Sequence, residues 1–445
     1  MVAPTFDAQV AGRSRLAFSP GDLYLRGLML LLCGYALAGR GLAGVGIGPV
    51  YVGELALVWG VLTVLATGAL AHVPRTGTVV ALLALMVWCA GLTAAGVRSH
   101  GAVALRDGVV WGYAAFALIA ASLLNASPNR IAWWIAHYER FGRLFLLTIP
   151  VIWLLRTLWV EHLPLLPGTD IPLLFPKPGD ILVHLGGFAA YLLAGRSELP
   201  ARWALAFLPG FALTAVRTRA GMLAFLVTLG IVAAARPLAR RVWIGTIASL
   251  TAGLLLLQLD TDISIAGRVL SGRQLRENFS SIFHPTRSSQ LDGPRAWRLE
   301  WWQTIVDYTV FGPHFWTGKG FGVNLANDDG FIVDPEGALR SPHNSHLTFL
   351  ARGGVPALLL WCCVQAAWLR EMLRRYRDSR SRGQHGWSRI FLFLVAYWLA
   401  ILVNAAFDVS LEGPMMGVWF WTVFGVGLGC ARVQQRCPEV IEPCR

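Results

Sequence analysis

The residues best suited to chemistry stand in one polar stretch of an otherwise apolar chain, between Gly293 and Gly354. It opens with Gly293-Pro-Arg-Ala-Trp-Arg-Leu-Glu-Trp-Trp302 and closes with Ser341-Pro-His-Asn-Ser-His-Leu347. It carries His314, His343 and His346, the arginines Arg295 and Arg298, and a turn, Gly318-Lys-Gly-Phe-Gly322, that includes Lys319. An imidazole at a water boundary takes a proton near neutral pH. A guanidinium fork matches two oxygens of a phosphate. Pro342 fixes the approach of the chain to His343-Asn344, just before an apolar run. His346 lies one turn further on and reads as a packing or hydrogen-bonding partner. The glycine turn lacks the strand and helix context of a nucleotide loop, and suits a place where backbone approaches a ligand or a helix closely.

Two groups outside the stretch have matching chemistry. Arg217 and Arg219 stand at the start of an apolar run, with Thr218 as an N-cap candidate. An arginine entering such a run is costly unless it is paired or hydrated. It either snorkels to lipid headgroups or binds an anionic ligand, such as a diphosphate. Lys177, Asp180 and His184 follow at i, i+3 and i+7, on one side of a helix. Asp180 is either structural or placed to orient a substrate hydroxyl, and Lys177 goes with it.

The elements that must hold these residues are membrane helices. The chain has 445 residues, of which 55% are hydrophobic and 14% charged, with a mean hydropathy of +0.55. Soluble domains carry about 25% charged residues. Apolar runs recur along the whole chain, so the expectation is an all-α polytopic membrane protein and not a soluble domain with one anchor. The net charge of +13 is almost all arginine. In this setting it points to cytoplasmic loops held against anionic lipid, not to nucleic acid. The polar N-terminus, residues 1–21, shows no removable signal peptide. Seven cysteines lack metal spacing and five lie inside apolar runs, so neither a disulfide framework nor zinc is expected, and no cofactor is implied.

Runs near 20 residues predict about twelve spans: 22–39, 50–71, 78–97, 107–124, 141–160, 179–195, 201–216, 219–236, 242–258, 346–369, 388–406 and 413–431. The glycine-rich segment 41–48 suggests a re-entrant or interfacial piece, and Trp133-Trp134 a short helix at the headgroups. The predicted division is 1–257 as an N-terminal bundle, 258–345 as an outer loop domain, and 346–445 as C-terminal helices with a cytoplasmic tail. The positive-inside bias places both termini in the cytoplasm, clearly in the second half and less so in the first. Against that bias, Arg217 and Arg219 fall outside, as do Arg273, Arg276, Arg287, Arg295, Arg298, Lys319 and Arg340 of the loop. An anionic ligand at the outer leaflet is the simplest reason. Within the loop, 295–309 reads as a helix whose Trp297, Trp301, Trp302 and Ile305 form one stripe.

These residues resemble the O-antigen ligase and O-antigen polymerase superfamily of bacterial envelope glycosyltransferases. Four features carry the resemblance: Thr218-Arg219-Ala-Gly221 at a span start; Trp297-Arg298-Leu-Glu-Trp-Trp302; Gly312-Pro followed by the Gly318–Gly322 turn; and His343-Asn344-Ser-His-Leu347 followed by Gly353-Gly354. The resemblance implies a GT-C-like bundle acting at the periplasmic face of the inner membrane. It implies an undecaprenyl-diphosphate-linked glycan as donor. The acceptor would be a lipid A–core sugar in a ligase, or a second lipid-linked glycan in a polymerase. The family's essential span-start arginine matches Arg219, its loop arginine matches Arg298 better than Arg295, and its essential histidine matches His343. Where the family commonly has a tyrosine after His-Asn-Ser, this chain has His346; where an acid often precedes the glycine pair, it has Arg352.

The expected reaction is a direct, inverting, metal-independent displacement. His343 takes the acceptor proton, and Arg219 and Arg298 hold the diphosphate, with Arg217, Arg295 and Lys319 as further candidates. A transporter of lipid-linked glycans is the rival class. It would need polar residues through the bundle and paired half-repeats, whereas the polar groups gather at one end. A non-catalytic partner of an export complex is a third reading, in which His343 is dispensable. The sequence leaves ligase against polymerase open.

Overall fold

The computed structural model describes residues 19–48, 50–195, 201–215, 217–236, 263–265, 268–270, 289–332 and 339–442. The protein is mostly helical. In chain order the helices are α1 (Pro20–Ala38), α2 (Arg40–Ala43), α3 (Val52–Ala66), α4 (Gly77–His100), α5 (Ala102–Gly112), α6 (Ala115–Ala126), α7 (Asn129–Leu158), α8 (Pro178–Gly195), α9 (Ala201–Ala215), α10 (Arg219–Ala235), α11 (Ser289–Val310), α12 (Leu325–Asp328), α13 (Ser345–Ser381), α14 (His385–Ala405) and α15 (Pro414–Arg436). Two small antiparallel hairpins accompany them, β1–β2 (Gly46–Ile47 with Val50–Tyr51) and β3–β4 (Ile263–Ile265 with Arg268–Leu270).

Among the described residues six helices are long and apolar enough to cross a membrane: α1, α4, α7, α13, α14 and α15. Helices α5 and α6, bent by 44°, make a seventh if they count as one span. The expected spans at 50–71, 201–216 and 219–236 correspond to shorter apolar helices, and 179–195 to α8. The expected span 242–258 lies outside the described residues, as do Arg273, Arg276 and Arg287. Six or seven full-length spans are thus what the described helices carry by length and composition. The outer surface suits a bilayer, with Leu30, Val80, Val87 and Leu147 each more than 60% exposed. The interior is aromatic, with Trp361, Trp368, Trp419 and Trp421 all buried.

One expectation needs correction. Trp133-Trp134 do not form a separate surface helix. They belong to one 30-residue helix, α7, because neither glycine nor proline interrupts it before Gly142. Trp134 is buried, and Trp133 stacks on His137 with ring centroids 4.0 Å apart. The glycine-rich segment 41–48 folds as the end of α2 and the start of a hairpin.

The polar stretch is held to the bundle by its own small core. Trp301 and Ile305 of α11 are fully buried and pack with Leu325, Ala326, Leu350 and Ala351. Trp301 stacks on Phe331 at 5.4 Å, and its Nε1–H donates to Asp329 at 2.6 Å. The helix is longer than the predicted 295–309, running from Ser289 to Val310. Helix α13 is interrupted at Gly354, whose φ of 71° and ψ of −174° are open to glycine and closed to most side chains. Pro356 has no N–H to donate. The loop repairs the break: Val355 N–H donates to the Phe315 carbonyl at 2.8 Å, and Lys319 N–H donates to the Ala351 carbonyl at 2.7 Å. The glycine turn thus approaches a helix backbone, one of the two uses its composition allows.

Candidate active site

His343 stands where α11, α13 and the α14–α15 connection meet. The carbonyl of Pro342 accepts from Trp302 Nε1–H at 2.8 Å, while His343 N–H closes a tight turn onto the Ser341 carbonyl at 2.9 Å. His343 then takes a φ of 53°, a left-handed value that non-glycine residues adopt at some cost. Asn344 starts α13 as its N-cap, with Oδ1 accepting from His346 N–H at 3.0 Å and Leu347 N–H at 3.2 Å. The imidazole is therefore aimed by a strained residue pinned on both sides, one pin being the tryptophan four residues after Arg298. Burial pushes the His343 pKa below its usual value, the Arg298 charge adds to this, and Asp408 opposes it. A neutral ring near pH 7 is the form that accepts a proton.

Arg298 reaches the same junction from α11. Its guanidinium donates to the Phe407 carbonyl at 3.3 Å, and among the described residues it forms no ion pair. Burial lowers its pKa, Asp408 raises it, and Arg219 lowers it, so the two arginines of the family motifs act on each other. Arg219 is the first residue of α10, whose N-cap Thr218 accepts from Gly221 N–H at 3.2 Å. A β-carbon on Gly221 would meet the Gly179 Cα at 3.0 Å. The absence of a side chain at Gly221 lets the start of α10 lie against the start of α8.

Asp408 was not singled out from the sequence, and it ties the junction together. It accepts from Lys177 Nζ at 3.2 Å and from Val409 N–H at 2.8 Å. Burial raises its pKa, but Lys177 and the Val409 N–H hold the net value below the ordinary carboxylate range. Its own carbonyl accepts from Ser345 Oγ at 3.1 Å, and Ser345 Oγ accepts from Leu411 N–H at 3.3 Å. The sequence signal was faint: two acids, Asp408 and Glu412, in one short connection. Glu412 is partly buried and accepts from Thr348 Oγ1 at 2.7 Å. Asp180 is buried behind Lys177, with Asn404 Nδ2 at 3.5 Å.

Other candidates are placed elsewhere or are already engaged. Nδ1 of His346 accepts from Trp361 Nε1–H at 3.1 Å, so its Nε2 carries the proton and donates to the Leu402 carbonyl at 3.0 Å. Both ring nitrogens are thereby used. Lys319 is bound to Asp328 and Asp329, both at 2.5 Å, and lies over the Tyr308 ring. Its pKa is raised, burial being outweighed by those two carboxylates. Arg217 lies over the Trp153 ring at 5.6 Å. The side chain of Arg295 lies outside the described residues. His314 Nδ1 contacts the Gly318 carbonyl at 3.2 Å, within the glycine turn. Arg352, which stands where an acid was anticipated, is buried and paired with Asp107 of α5 at 2.8 Å, and Arg340 joins the same carboxylate at 3.0 Å. Among the described residues no group of three or more His, Cys, Asp and Glu is placed to hold a metal ion.

The arrangement offers one neutral base, two guanidiniums and a carboxylate at one end of a helical bundle. Residues 204–362 match the family model described as O-antigen ligase, a range that includes Arg219, Arg298 and His343. No curated protein matches the chain. The family match supports the resemblance to the O-antigen ligase and polymerase superfamily, and with it an enzyme of ligase or polymerase type in a bacterial membrane.

Proposed function

We propose that the protein is an inner-membrane glycosyltransferase that moves a glycan from undecaprenyl diphosphate to a sugar hydroxyl of lipid A–core at the periplasmic face. The observation that supports this reading is that Arg298 acts electrostatically on both Arg219 and His343, with Asp408 acting on Arg298 and His343, from elements far apart in the chain. The family match, described as a ligase, favours lipid A–core as acceptor.

In this reading Arg219 and Arg298 take the donor diphosphate by bidentate contacts. The acceptor oxygen attacks the anomeric carbon from the face opposite the diphosphate. Its proton passes to His343, the bond from the anomeric carbon to the diphosphate oxygen breaks, and the electron pair leaves with the diphosphate. The configuration inverts. The negative charge that grows on the leaving group meets fixed positive charge, which stabilises it most where water is excluded. Asp408, close to His343, steadies the imidazolium that forms. The guanidiniums supply the leaving-group charge in this scheme, and no metal ion takes part.

His343→Ala is the direct test. General-base catalysis contributes about 10²–10⁴-fold. Transfer from lipid-linked glycan to lipid A–core should fall by at least that much, with membrane insertion and donor binding retained. Full activity in this variant removes the base assignment. Incubation of the wild type with donor alone separates the two enzyme types: glycan chains growing on undecaprenyl diphosphate without lipid A–core would make it a polymerase.

A further inference from the structure

A second group of arginines lies at the same end of the bundle. Arg40 of α2, Arg156 in the last turn of α7, and Arg217 before α10 converge on two aromatic rings. Arg156 lies over the Phe175 ring at 4.1 Å and over the Trp153 ring at 4.9 Å. Arg40 lies over Phe175 at 5.6 Å, and Arg217 over Trp153 at 5.6 Å. Arg40 and Arg217 are the charges that act on Arg156. Among the described residues neither Arg40 nor Arg156 has an ion pair. Arg40 and Lys177 both act on the buried Asp180 carboxylate.

The platform under these arginines is built to be rigid. Arg40 N–H donates to the Phe175 carbonyl at 3.1 Å, and Phe175 N–H donates to the Ala38 carbonyl at 2.8 Å. Gly39, with φ of 60°, and Gly41 have no β-carbon, and one would collide with the backbone of Phe175 and Leu173 respectively. Arg156 Nη1 donates to the Pro176 carbonyl at 2.6 Å, beside Lys177. Three cations fixed on ring faces repel one another. Ring quadrupoles attract each of them but do not cancel their mutual repulsion, whereas a multivalent anion does. Arg40 is exposed, so such an anion has access.

Resting on the function proposed above, we infer that Arg40, Arg156 and Arg217 form a second anion subsite that receives a phosphate ester carried by the acceptor glycolipid. The donor diphosphate is held by the Arg219–Arg298 pair next to the base. The second cluster borders Lys177, through the Pro176 carbonyl that Arg156 holds and the Asp180 on which Arg40 and Lys177 both act. A phosphate of a surrounding phospholipid has the same chemistry, and the test separates the two sources.

The full chain in nanodiscs of one lipid composition is given lipid A–core before and after phosphatase treatment. Binding without donor and transfer with donor are both measured. The wild type should prefer the phosphorylated acceptor by about tenfold or more, as expected for charge-assisted bidentate contacts. In Arg40→Gln/Arg156→Gln that ratio should fall towards one, and Arg40→Lys should recover part of it. If the double variant fails to fold, Arg40→Gln alone carries the comparison, because its guanidinium is on the surface. An unchanged ratio in the variant, or no preference in the wild type, overturns the subsite. Equal loss with both acceptors assigns the cluster to donor or membrane lipid and also overturns it. Wild-type binding preference without any transfer would instead sink the proposed reaction and leave the subsite standing.

Discussion

Two junctions at one end of the bundle use the same residue types with opposite charge economy. Where the loop meets α5 and α13, the cations Arg340, Arg352 and Lys319 face the carboxylates Asp107, Asp328 and Asp329, all within 3.0 Å. Arg352 is 2% exposed and Asp329 not at all, so each charge there depends on its partner. Where the loop meets α8, α10 and α14, Lys177 pairs with Asp408, Arg298 feels both Asp408 and Arg219, and Arg298 is left with a carbonyl. Matched, buried charge fixes a fold. A surplus of cations beside a neutral histidine is poised for an anion from outside. Counting basic residues does not separate the two roles; locating their carboxylates does.

The sharpest way to break this comparison is at the surplus side. Arg298→Ala and Arg219→Ala should each lower transfer by about 10²–10³-fold, the range for removing one preorganised donor to a developing anion. Donor affinity should weaken, and thermal stability should stay close to wild type. Arg298→Lys should restore little, because an ammonium lacks the fork. Unchanged donor affinity in both alanine variants would dissolve the clamp.

On the matched side the effect should appear as stability. Arg352→Met leaves Asp107 buried beside Arg340 alone, and breaking a buried pair costs on the order of 3–5 kcal/mol. The melting temperature in detergent should drop, and Asp107→Asn in the same chain should recover part of it. Loss of kcat with an unchanged melting temperature would show that this junction, too, belongs to the reaction.

The smallest effect is a pH shift that links the two views. Because Arg298 helps to hold the His343 pKa down, the neutral base persists to lower pH than an ordinary histidine would. Arg298→Gln should move the acid limb of the residual rate profile to higher pH. Asp408→Asn should move it lower, since that carboxylate favours the imidazolium. Shifts of the reverse sign would place His343 outside the rate-limiting proton transfer.

Much of this site was legible where the signal is local. Thr218 as a cap, the stripe of Trp301 and Ile305, and the histidine before an apolar run all follow from spacing. Asp408 was not, because its meaning comes from Lys177 across the bundle. Lys319 looked like a ligand group for the same reason, since its two carboxylates are supplied by the fold of α12. Arg352 looked like a departure from the family pattern, yet Asp107 answers its charge from α5. The length of α7 was hidden because a tryptophan pair marks an interface equally well inside a long helix or in a short one.

The break in α13 has a consequence for engineering. Two main-chain groups of that helix, at Ala351 and Val355, are completed only by Lys319 and Phe315. A chimera that imports the 312–322 turn from another protein would have to import 351–356 with it. Otherwise it would strand two polar groups at the edge of the bundle. The exchangeable unit is a loop together with the helix it mends, and donor or acceptor specificity is better re-engineered from the α8 side.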